Sequence, residues 1–301
     1  MNEIEDLNAQ FAIANQLAFT TDPSGLIIAN INNALANASI ALQGGHLMTW
    51  TPKGAEPVVW LSPAARLAPG KSIRGGVPIC WPWFGAHATE AGFPAHGFAR
   101  TTLWQVVSSS TLTNGATQLV LELDPANMPT HQWPHATTVQ CIITVGNTLQ
   151  MELVTGNNSA DVISISEALH TYFAVSDVRN ISIDGLDKCY YQDKVENFKE
   201  KQQTGAVTFA AEVDRVYVDT QADCIIRDPG LSRQIRISKT GSDSTVVWNP
   251  WIEKAVQMAD LGDHGHLNMV CVESANAGQN SVALQAGAEH RLKVCYSVEK
   301  I

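Results

Sequence analysis

The chain has 301 residues, of which 45% are hydrophobic and only 16% charged. That is enough apolar matter for a large core and unlike a disordered segment. The formal net charge of −10, with no basic stripe, excludes the usual nucleic-acid binder. An acidic chain that takes an anionic ligand must hold it with a few local cations, so the arginine positions carry information.

In chain order, Ile4, Leu7, Phe11, Ala14 and Leu17 recur at three- and four-residue spacings. This predicts one short helix, a helical extension over residues 1–20 packed on the body. The opening MNEIEDLNAQF is acidic and has no signal-peptide pattern. No apolar run approaches the length of a membrane span. Cys80, Cys141, Cys189, Cys224, Cys271 and Cys295 are scattered and form no CxxC pair, several of them in apolar runs. They read as reduced, buried thiols, and the expected location is the cytoplasm.

Residues 61–100 are rich in Pro and Gly, with Trp60, Trp81 and Trp83 in or beside them. Long loops on a rigid scaffold commonly carry binding groups. Arg74 lies in KSIRGGVPICWPWFG and Arg100 in FPAHGFAR. An arginine fork suits phosphate, although either could pair with a surface carboxylate. Gly75 and Gly76 are expected to let a ligand approach the backbone. The tryptophans of WPWFG and WNPW read mainly as core.

Strand patterns dominate the rest. Leu119, Leu121 and Leu123 alternate with Gln118, Val120 and Glu122; Val139, Cys141, Ile143 and Val145 share one face. Leu149, Met151 and Leu153, then Leu292, Val294, Tyr296 and Val298, repeat the period. Turn residues separate these runs, and no regular βα alternation occurs. The expected class is all-β and antiparallel.

In DVISISEALHTYFAV, His170 shares a face with Ser164, Ser166, Ala168 and Tyr172, while Glu167 intrudes on the apolar face of Ile163, Ile165 and Leu169. A histidine on a ligand-facing side can act as acid or base. The same pattern also suits a structural histidine bonded between sheets. Glu273 follows the apolar run of LNMVCVESAN. A half-buried carboxylate there would be a strengthened base, or equally a rim group or ion-pair partner. His264 with His266, and His131 with His135, lack an evident third ligand at zinc spacing. P-loop, GxGxxG and GxSxG motifs are absent from the sequence.

Taken in order, RGGVPICWPWFG, HGFAR, SEALHTYF, WNPW and VCVESAN resemble the hexose-6-phosphate mutarotases of the aldose 1-epimerase, or galactose mutarotase-like, superfamily. The resemblance runs from about residue 40 to the end of the chain. It implies a single domain over residues 1–301, a large antiparallel β-sandwich with a short N-terminal helix. It also implies a monomer without metal or organic cofactor, whose partner is a small sugar phosphate rather than nucleic acid or membrane. By position it makes His170 the catalytic acid and Glu273 the catalytic base, as an imidazolium and a carboxylate. It places Arg74 and Arg100 against the anionic substrate, and His96 and Asp214 elsewhere in the pocket. Ala95 departs from members that carry a polar side chain before the HG pair. The implied reaction is exchange of the α and β anomers of a hexose 6-phosphate, glucose 6-phosphate first. A mutarotase of neutral galactose or glucose, a non-catalytic carbohydrate-binding module and, more distantly, a cupin-like metal enzyme are the competing readings.

Overall fold

A computed structural model describes residues 3–301, and in it the chain is built almost wholly of antiparallel strands. One eight-stranded sheet holds the alternating runs. Its order is Ser182–Asp184, Cys224–Asp228, Arg233–Thr240, Glu289–Lys300, Leu149–Asn157, Thr137–Val145, Thr117–Leu123 and Trp104–Thr111. Leu119, Leu121 and Leu123 point inward as their period requires, while Gln118, Val120 and Glu122 are only half-buried.

The second eight-stranded sheet runs Lys199–Gln202, Tyr190–Asp193, Val213–Tyr217, Ser244–Asn249, Met269–Asn276, Glu167–Leu169 and Ile79–Cys80. Tyr172–Ala174 also pairs with Met269–Asn276. Val247, Val270 and Val272 of this sheet meet Leu121, Leu153, Leu292 and Val294 of the first in one core. This is sandwich packing, with each strand giving alternate residues to the interior. A four-stranded sheet, Leu17–Thr21 through His46–Pro52, adds Phe19, Ile31, Ile40 and Trp50 to the same core.

The strand Met269–Asn276 is buried along its whole length. Its even residues Val270 and Val272 enter the sandwich core. Its odd residues face the other way: Cys271 packs with Trp60, Tyr172 and Trp248, and Ala275 with Cys80 and Val246. The segment 61–100 covers this outer face, with only the two-residue strand Ile79–Cys80 and a turn at Ala99–Thr101 as regular structure.

The helix is shorter than its periodicity predicts. It spans Glu3–Phe11, and residues 1 and 2 of the expected extension lie outside the described residues. Asn15 turns the chain at φ 60°, and Leu17 and Phe19 then alternate inward on a strand. Ile4, Leu7 and Phe11 do pack on the core, and Asn8 exchanges two hydrogen bonds with the Phe19 backbone. The apolar spacing at Leu17 served a strand as well as it would have served a helix. All six cysteines are unpaired, and among the described residues no helix is long and apolar enough to cross a membrane.

Candidate active site

Alternation across neighbouring strands assembles the site. Opposite Glu273 lies Val246, and opposite Cys271 lie Trp248 on one side and Tyr172 on the other. Asp214 is in turn opposite Trp248. Directly paired residues share a face, so these side chains converge on the outer face of the sheet. Glu273 itself is 1% exposed. It sits mid-strand rather than beyond the strand end, and is more deeply buried than its sequence context suggests.

His170 occupies the break between Glu167–Leu169 and Tyr172–Ala174. Its backbone N–H donates to the Pro78 carbonyl at 3.0 Å, which seats it against the covering segment. Its ring stacks on Tyr172 at 5.0 Å and meets Trp248 edge-on at 6.1 Å. The result is a direct contact of 3.3 Å between His170 Nε2 and Glu273 Oε1. Among the described residues, His170 Nδ1 and Glu273 Oε2 are buried without a hydrogen-bond partner.

The covering segment supplies cations. Arg74 Nε pairs with Asp260 at 3.1 Å and Arg74 Nη1 donates to the Tyr172 hydroxyl at 2.9 Å. Arg100 donates to the Ala95 carbonyl at 2.8 Å, and no carboxylate among the described residues reaches it at ion-pair distance. On the side where a Cβ would stand, Gly75 and Gly76 face the body of the protein. A Cβ on Gly75 would stand 2.6 Å from the Trp60 carbonyl oxygen, and one on Gly76 2.4 Å from the Leu47 oxygen. These glycines let the segment press on the body and so fix Arg74. His96, at φ 67°, is pinned from both sides by Gly85, whose carbonyl takes its N–H at 2.7 Å and whose N–H reaches Nδ1 at 3.3 Å.

The six residues singled out from sequence, His170, Glu273, Arg74, Arg100, His96 and Asp214, all line one cavity of about 240 Å³. Phe84, Tyr172, Trp248, Val246 and Lys194 complete its wall. Lys194 is the residue that sequence reasoning missed. Its Nζ lies 3.2 Å from Asp214 Oδ2.

Burial dominates the electrostatics. It pushes Glu273 well above the usual carboxylate range, opposed by Lys194 and Arg100 and reinforced by Asp214. It holds His170 well below the usual imidazole value, helped by the neighbouring His96 and Arg100. Burial, with Arg100, Lys194 and Arg74, takes His96 down to about 3. One proton shared between His170 and Glu273 leaves the pair neutral overall wherever it sits. Desolvation opposes separated charge, so burial favours the neutral form of the pair, with the proton on Glu273.

Among the described residues, the donors that converge as metal ligands would are His170, Cys271 and Glu273, whose ligand atoms lie within 4.8 Å of one another. Burial raises the Cys271 thiol well above its ordinary value. His264 and His266 stand apart from this group, with ring centroids 6.4 Å from each other.

Known proteins place this chain in a family. The sequence profile described as aldose 1-epimerase matches residues 28–297. An Escherichia coli (strain K12) protein named "Putative glucose-6-phosphate 1-epimerase" is 38% identical over 261 residues, covering 86% of each chain. A Cenchrus ciliaris protein of the same name is 34% identical over 289 residues, covering 91% of this chain and 85% of its own length. The crystal structure of a protein from Salmonella typhimurium described as a "putative mutarotase" superposes with a TM-score of 0.89 at 33% identity, over 100% of both chains. With its profile match, its relatives and its galactose mutarotase-like sandwich, this chain belongs to the aldose 1-epimerase family.

Proposed function

We propose that this chain exchanges the α and β anomers of a hexose 6-phosphate, glucose 6-phosphate foremost, by acid–base catalysed opening and closing of the sugar ring. The observation that carries the reading is the contact of 3.3 Å between His170 Nε2 and Glu273 Oε1 in a cavity also lined by Arg74, Arg100 and Lys194. Mutarotation needs one proton removed from the C1 hydroxyl and one delivered to the ring oxygen. Glu273 acts as the base at O1 and His170 as the acid at O5. The C1–O5 bond breaks to the aldehyde, C1 rotates, and the ring closes with the roles reversed. His96 and Asp214 face the sugar from the remaining walls.

The substrate's own charge sets the protonation state. A phosphate near Arg74 and Arg100 brings negative charge to the His170 side, which favours imidazolium and moves the shared proton from Glu273 to His170. Binding thereby creates the acid and base that the reaction uses. Six unpaired cysteines support a reducing, cytoplasmic setting.

Magnetisation-transfer NMR between the two anomer signals of glucose 6-phosphate tests the reading. The wild-type chain accelerates exchange, and His170→Ala and Glu273→Gln each lose about 10²–10⁴-fold. Equal acceleration of unphosphorylated glucose would remove the phosphate from the proposal. Binding without acceleration would leave a carbohydrate-binding module instead.

A further inference from the structure

The cations of the cavity are not equivalent. Arg74 stands at the His170 end, bonded to the Tyr172 hydroxyl that stacks beneath the imidazole. Lys194 stands instead with Asp214 and acts foremost on Glu273. It opens the short turn Lys194–Glu196, which Asp193 fixes by accepting from the Val195 N–H at 3.1 Å and pairing with Lys201 Nζ at 2.8 Å. From there its Nζ reaches Asp214 Oδ2 at 3.2 Å and lies 6.0 Å from the Phe84 ring centre.

A solvated surface pair would not look like this. Asp214 is buried on the pocket-facing side of its strand, opposite Trp248, and both partners line the cavity. An ammonium has three donors and Asp214 takes one of them. The field is consistent with the placement. Lys194 is the foremost charge opposing the burial of Glu273, ahead of Arg100, whereas the cations acting on His170 are Arg100 and then Arg74.

The reaction orders the substrate along this axis. The ring oxygen that His170 serves is bonded to C5, which carries the phosphorylated C6. The phosphate therefore belongs to the His170 end, with the arginines. The C1–C2 edge, whose O1 gives its proton to Glu273, falls on the Glu273 side, where Lys194 acts.

We propose that Lys194, held by Asp214, is a catalytic residue that donates to the O1–O2 edge of the sugar and stabilises O1 as its proton moves to Glu273. It is not a third phosphate anchor. This inference rests on the anomer-exchange reading above. An interaction strongest where charge develops lowers kcat rather than raising KM.

The test is steady-state exchange of glucose 6-phosphate by the wild type, Lys194→Met and Lys194→Arg, with inorganic phosphate as competitive inhibitor. Lys194→Met is expected to lower kcat roughly 10- to 100-fold, as loss of one charged hydrogen bond should. KM and the inhibition constant for phosphate stay within about threefold of wild type. Lys194→Arg, which keeps the charge and donors, recovers most of kcat and controls for a general loss of fold. A wild-type kcat in Lys194→Met would overturn the inference. So would a large rise in KM and in the phosphate inhibition constant at unchanged kcat, which would make Lys194 a phosphate anchor. If the wild-type chain itself gives no acceleration, the parent reading falls and this one with it, which separates the two failures.

Discussion

At the residue scale, the two arginines enter the pocket with different debts. Arg74 already holds Asp260 and the Tyr172 hydroxyl, so an incoming anion must share it. Arg100 gives one hydrogen bond to a neutral carbonyl, and its charge is the less compensated. Arg100→Met should therefore raise KM for glucose 6-phosphate more than Arg74→Met does. A charged hydrogen bond to phosphate is worth roughly 1.5–3 kcal/mol, or about one to two orders of magnitude in KM, with Arg100 near the upper end. Whatever turnover of neutral glucose occurs should hardly change, and parallel assays on the two sugars check this. The sequence made both arginines visible through their motifs, and Glu273 and His170 likewise. Lys194 stayed hidden because DKVEN carries no periodic signal and its partner Asp214 lies in a different strand. The charge state of the His170–Glu273 pair was equally hidden, since it depends on how far the surrounding loops exclude water.

At the scale of elements, strand identity follows from period two, which is a local property, and the long alternating runs fold as they read. The segment 61–100 has no period, and its shape comes from contacts with distant backbone. Gly97 shows how tightly that shape is held. Its φ is +70°, and a Cβ there would stand 1.9 Å from the Trp81 carbonyl oxygen, whose group also accepts from the Phe98 and Ala99 N–H groups. Backbone cannot yield as a side-chain tip can. Gly97→Ala should cost about 2 kcal/mol or more in stability. It should also raise KM for the phosphate ester, because Arg100 follows three residues later on the displaced turn. Thermal unfolding and kinetics on one preparation read both effects. The N-terminal helix gives the opposite lesson. Its apolar spacing was legible, but its end was not, because Leu17 satisfies the helical and the strand period together.

At the scale of the whole molecule, the two large sheets are joined beneath the site by polar groups as well as by the core. Thr171, next to His170 in the chain, meets the Tyr296 hydroxyl through its Oγ1 at 2.6 Å. Glu167, the carboxylate that intruded on an apolar face, is 0% exposed and lies 2.9 Å from His290 Nε2 on the opposite sheet. Asn276 Nδ2 also donates to it at 3.1 Å. Burial alone would lower the His290 pKa, but the hydrogen bond and charge of Glu167 carry it above the ordinary 6.5. A group raised on folding stabilises fully below its unfolded pKa, and the gain is lost as pH rises through the folded value. Wild-type stability should therefore fall from pH 6 towards alkaline pH by a component that His290→Gln lacks. That variant should lose about 3 kcal/mol at low pH, the lower end for breaking a buried pair, because Asn276 still serves Glu167. Denaturant unfolding across pH checks it, and a parallel pH slope in the two proteins would count against the bridge. No sequence period could have shown this link, since it closes between residues 123 positions apart in the chain that only the finished sandwich brings together.

The alternation along Met269–Asn276 has a practical consequence for engineering. The strand works like a printed circuit with two independent sides. Val270 and Val272 wire the protein's interior, while Val246 and Trp248 line the chamber beside Glu273 and the Cys271 thiol lies within 4.8 Å of the ligand atoms of His170 and Glu273. A mutant library confined to Cys271, Val246 and Trp248 would reshape the chamber while the interior side of the same strands stays as it is. New sugar preferences could then be searched for on a scaffold whose foundations are left alone.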